Sequence, residues 1–148
     1  MRKILKIFFL NLLIGNSAFA ETKEQEKAKY VLLNMQQDYI TCYSFYKIGA
    51  EYVRKSNSNN KIINGIEKSS NTSLRHVYET AELMGMQTQE MSSKIKSEIE
   101  NQLNLIDNNF NNASVLLEKY AQTCKNLIEN KKQRISFWEK KATEKFNE

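Results

Sequence analysis

Two cysteines, one histidine and three clustered methionines are the residues of this chain whose types could carry chemistry. Cys42 and Cys124 lie far apart in sequence, so they lack the close spacing of a redox dithiol and read as a structural disulfide. His76 is the single histidine and Asp38 and Asp107 are the only aspartates, which leaves no second His for a catalytic relay. The run His76-Val77-Tyr78-Glu79 reverses the Glu-x-x-His order of di-iron bundles, and a haem-attachment motif is absent. A non-enzymatic protein without a cofactor is the expectation.

Met84, Met86 and Met91 form the one metal-like grouping, because soft thioethers select copper(I). Met84 and Met91 also stand seven apart on an apolar stripe, where Met commonly fills gaps in a core. Copper(I) binding is therefore the alternative function, behind protein interaction. The aromatic side chains favour interaction. Tyr30, Tyr39, Tyr43, Phe45, Tyr46 and Tyr52 crowd one stretch, and Tyr43, Phe45 and Tyr52 fall to the flanks of its stripe. Downstream, Phe137-Trp138 is flanked by Arg134, Lys140 and Lys141. These five aromatics, Tyr43, Phe45, Tyr52, Phe137 and Trp138, are the candidate partner contacts, with a weak membrane-surface contact as a secondary use of the second group; the alternative is packing, the first three widening the core seam and the last two closing the end of the bundle.

The elements that must position these residues follow from periodicity. Pro is absent, and the only glycines beyond the leader are Gly49, Gly65 and Gly85, so hairpins and long ordered loops have little to build on. Ala28, Leu32, Met35, Tyr39, Cys42, Tyr46, Gly49 and Val53 step by four and three, which predicts a first helix over about 22–56. The run Asn57-Ser58-Asn59-Asn60 ends it. Further stripes run Ile63 to Met84 and Thr88 to Ile106, and the Asn-rich stretch 107–112 precedes a last stripe from Leu117 to Ala142, predicting a final helix over about 111–146.

Whether the middle stripes are one helix or two is decided by the cysteines. At ~1.5 Å rise per residue, Cys42 stands ~24 Å from the turn near 58 and Cys124 ~20 Å from the turn near 111. One unbroken helix over 61–107 would put those turns ~70 Å apart and leave the sulfurs ~25 Å out of level, whereas a bridge needs Cα atoms within ~7 Å. A reversal at Gly85, where Met86 would supply a contact and Thr88 a new N-cap, brings them level. The expectation is an all-α antiparallel bundle of four helices with one interhelical disulfide. A three-helix version survives if 57–71 is irregular and the second long helix starts near Ser73. In the four-helix version the outer helices overhang the middle pair by ~15 Å and bring Tyr30 near Phe137 and Trp138.

The chain opens with Arg2, Lys3 and Lys6, an apolar run from Ile7 to Ile14, and Ala18-Phe19-Ala20. That is the order of a cleavable secretory signal, expected over residues 1–20, with a single domain over 21–148. The formal charge of +5 falls to +2 once the leader's three basic residues are removed. That near-neutral balance, the export signal and the absence of a recognition motif argue against nucleic acid as a partner. The pair Cys42-Tyr43, the segment Tyr120-Ala121-Gln122-Thr123-Cys124 and Trp138 resemble small exported two-cysteine helical proteins of Gram-negative bacteria, which implies a periplasmic address.

Overall fold

The computed structural model describes residues 22–56 and 60–146; the signal segment expected over 1–20 and most of the Asn-Ser break at 57–60 lie outside them. Five α-helices follow one another: α1 (Lys23–Lys55), α2 (Asn60–Leu83), α3 (Thr88–Leu105), α4 (Ser114–Glu129) and α5 (Lys131–Phe146). A 3-10 turn, Phe110–Asn112, precedes α4, and the described residues contain no strand. None of the described helices is long and apolar enough to cross a membrane.

α1 starts at a capping box: the Thr22 hydroxyl accepts from the Gln25 backbone N–H, and the Gln25 side chain accepts from the Thr22 N–H at 2.8 Å. Glu24 and Glu26 in its first turn and Arg54 and Lys55 in its last complement the helix dipole. At ~100° per residue its buried positions, from Gln36, Tyr39 and Ile40 to Cys42, Ser44, Phe45 and Ile48, spread around most of the circumference. The reason is that α1 is central, contacting all four other helices and α2 most extensively. Val77, Met91, Ile95, Ile106, Leu116 and Leu127 pack against it.

The chain reverses at Gly85, which adopts φ 66° while Met86 N–H bonds Ala81 C=O at 2.9 Å and Gly85 N–H bonds Glu82 C=O at 3.1 Å. This paired closure satisfies the last carbonyls of α2, and Met86 packs on the core beside it. Thr88 is the first residue of α3 and Gln87 the cap, one place earlier than predicted. The same closure ends α3 without a glycine: Asp107 and Asn108 both take φ 54°, and their N–H groups bond Asn104 and Leu103 carbonyls. Short polar side chains tolerate that left-handed backbone better than other non-glycine residues.

Cys42 and Cys124 are joined, with Cα atoms 5.3 Å apart, and both are fully buried. The all-α fold and the bridge stand as predicted, but the helix count does not: the described residues form five helices rather than four or three. The expected last helix, 111–146, breaks at Asn130, whose φ of −138° and ψ of 60° are not helical. The break has a readable cause. The apolar stripe runs Cys124, Ile128, Ile135, and the positions that should join its two halves hold Lys131 and Lys132, so nothing apolar holds that turn against α1.

Candidate interaction surface

α4 and α5 run in succession antiparallel to α1. Tyr120 meets Phe45, Cys124 meets Cys42, Lys131 sits over the Tyr39 ring, Arg134 reaches Asp38, and Trp138 and Phe146 both meet Tyr30. The two helices contact α1 by different means. α4 buries Leu116, Cys124 and Leu127, whereas α5 fully buries only Ala142.

What α5 lacks in apolar burial it makes up with a polar clamp. Arg134 donates from Nε and Nη2 to the two oxygens of Asp38 at 2.6 and 2.8 Å, and Trp138 Nε1 donates to Asp38 Oδ2 at 2.6 Å. The Asp38 side chain is only 14% exposed. A two-pronged, charge-assisted pair plus a third donor fixes the rotation of α5 as well as its distance. Arg134 also lies over the Phe137 and Trp138 rings, 4.6 and 4.9 Å from their centres, and Lys145 lies 4.7 Å from the centre of the Tyr30 ring.

The five predicted contact aromatics do not share a surface. Phe45 is a core residue, 7% exposed, which corrects its assignment to a contact flank: α1 is covered on that side by α4 and Tyr120. Tyr43 is half-buried, its phenol raised above its ordinary pKa first by burial and then by Tyr78. Tyr52 is exposed near the far end of α1, ~20 Å from the clamp. Trp138 is half-buried with its N–H committed to Asp38, and Phe137 is 42% exposed. Tyr30 and Trp138 do meet, with ring centres 6.2 Å apart in an edge-to-face arrangement.

Elsewhere the chemistry-bearing residues serve packing. Met91 is completely buried, Met86 packs on the same core and Met84 is half-buried, so the methionine corner is largely spent on the α2–α3 turn. His76 holds Glu79 through Nδ1 at 2.6 Å and lies against the Tyr39 ring, 4.7 Å between centres. Tyr39 is buried with an unpartnered hydroxyl, and its pKa is pushed up to about 12 by burial first and by the nearby Glu79 and Asp38 second. Among the described residues no three His, Cys, Asp or Glu side chains are grouped to hold a metal ion.

Sequence reasoning did not identify Asp38 or the break at Asn130. Two signals pointed to them: Asp38 sits beside core positions of α1 in a chain with only two aspartates, and Lys131-Lys132 interrupt the last stripe. At that break a cleft of about 180 Å3 opens, lined by Thr123, Asn126, Asn130, Gln133, Arg134 and Phe137. Compared with protein-family models, curated proteins and solved structures, the chain matches none.

Proposed function

We propose that this is an exported, non-enzymatic interaction protein acting in the periplasm, and that it meets its partner through the outward face of α5. One observation carries the reading: Phe137 is 42% exposed on a helix whose position is fixed by the buried-side clamp Asp38–Arg134–Trp138. An exposed aromatic on a rigid support loses little conformational freedom on binding, which is the property of an interface anchor. The fully buried disulfide supports an oxidising compartment. Copper(I) binding through Met84, Met86 and Met91 is the weaker reading, because Met91 has no exposed surface.

Site-specific photo-crosslinking tests the proposal in an exporting bacterium. A photoreactive residue in place of Phe137 should yield a discrete protein adduct, and the same residue in place of Asn71, exposed on α2, should not. No adduct from position 137, or identical adducts from both, would overturn it.

A further inference from the structure

The cleft at the α4–α5 break carries the reading further, from a surface to the kind of segment that would occupy it; this step rests on the proposed interaction role. Thr123, Asn126, Asn130, Gln133 and Phe137, three and four residues apart in sequence, line the cleft together on both sides of the break. Their hydrogen-bonding atoms are only partly used. Asn126 Oδ1 accepts from Gln122 at 2.8 Å, and Asn130 Nδ2 approaches Gln133 Oε1 at 3.5 Å. Among the described residues, Asn126, Asn130 and Gln133 therefore each keep one side-chain amide atom without a protein partner. Asp38 engages Arg134 through Nε and Nη2, leaving Nη1 unengaged.

An extended peptide backbone presents carbonyl and N–H groups along its edge, and a side-chain amide, which both donates and accepts, pairs with either. A helical segment cannot use these amides, because its own backbone groups are already paired. Charge selects among extended segments. α5 carries six basic and two acidic residues, while the rest of residues 21–148 carry 13 basic and 15 acidic, so the net positive charge of the domain is carried by α5, the helix that forms one side of this cleft. A membrane fits less well: the apolar side chains Ile135, Trp138, Ala142 and Phe146 of α5 face α1 or Tyr30, and Phe137 alone is too small an outward apolar face to insert. The cleft is anchored at both ends, since Thr123 adjoins the bridged Cys124 at one and Arg134 is clamped to Asp38 at the other.

We propose that the cleft takes an extended, acidic segment of a partner protein, its backbone hydrogen-bonded by Asn126, Asn130 and Gln133 and one apolar side chain packed on Phe137. The probe is a fluorescein-labelled peptide of four Asp-Val repeats, whose charges and β-branched residues keep it extended, added to the full oxidised protein and followed by anisotropy. It should bind, and Asn126→Leu and Phe137→Ala should each weaken it about tenfold while leaving the helical circular dichroism unchanged. No binding, equal binding by the variants, or equal binding of a Lys-Val peptide or of a helical Glu-Ala-rich peptide would overturn the proposal. So would Phe137-dependent binding to phosphatidylglycerol vesicles in place of the peptide. If the adduct from position 137 forms but the Asp-Val peptide does not compete with it, the contact surface stands and the extended-segment reading fails.

Discussion

α1 is held on its two sides by different physics. Toward α2, α3 and α4 it meets Val77, Met91, Ile95, Ile106, Leu116 and Leu127, and the Cys42–Cys124 bridge closes that side covalently. Toward α5 it meets one fully buried apolar residue, Ala142, and a clamp of three hydrogen bonds on Asp38. Apolar packing is non-directional and shared among many contacts, so it accommodates a volume-conserving swap at any one of them. A polar clamp is directional and concentrated, so it places α5 accurately but depends on a single carboxylate. A surface that presents Phe137 at a fixed orientation is better served by the second arrangement.

The covalent closure of α1 onto α4 carries the largest expected effect. Replacing both Cys42 and Cys124 by Ala should lower unfolding stability by ~4 to 5 kcal/mol, because the bridge closes a loop of about 80 residues in the unfolded chain; urea titration reads the loss. Asp38→Ala should cost about 2 kcal/mol, since it strands the Arg134 and Trp138 donors. That loss should be local: hydrogen exchange should accelerate in α5 and leave α2 and α3 protected. Uniform acceleration would show that α5 is no separate unit.

The buried Tyr39 hydroxyl, unpartnered on the α2 side of α1, sharpens the contrast at smaller scale. Tyr39→Phe should stabilise the fold by ~1 kcal/mol at neutral pH, because it removes a desolvated polar group that bonds nothing. The same hydroxyl has a folded pKa of about 12 against an ordinary 10.0. Its raised value means that keeping it protonated in the fold adds no further cost below pH 10 but an increasing one as pH rises toward 12, so the unfolding temperature should fall across that window less steeply in Tyr39→Phe. The smallest effect belongs to Phe137→Ala, which should change stability by no more than about 0.5 kcal/mol, since the ring is substantially exposed; a larger loss by urea titration would make Phe137 part of the scaffold.

Much of this architecture is legible because helix periodicity is local. Steps of three and four mark the core-facing residues, and the level of Cys42 with Cys124 requires the reversal that Gly85 then makes with a positive φ. The interrupted stripe at Lys131-Lys132 was equally local, yet it reads as a break only once α4 and α5 are seen to follow the same partner helix.

Residue types and spacing alone therefore carry the all-helical class, the reversals at Gly85 and at Asp107-Asn108, and the pairing of the two cysteines, but not the division of the last stripe into α4 and α5, because hydrogen-bonded turns and hydrophobic period act over a few residues. Tertiary structure decided which aromatics are inside. α1 is surrounded on most of its circumference, so Phe45, read as a flank, lies in the core. It also decided the clamp, whose members stand 96 and 100 residues from Asp38. A carboxylate, a guanidinium and an indole carry no mark in sequence of the partner they will find; only the antiparallel course of α5 along α1 brings their donors to one pair of oxygens.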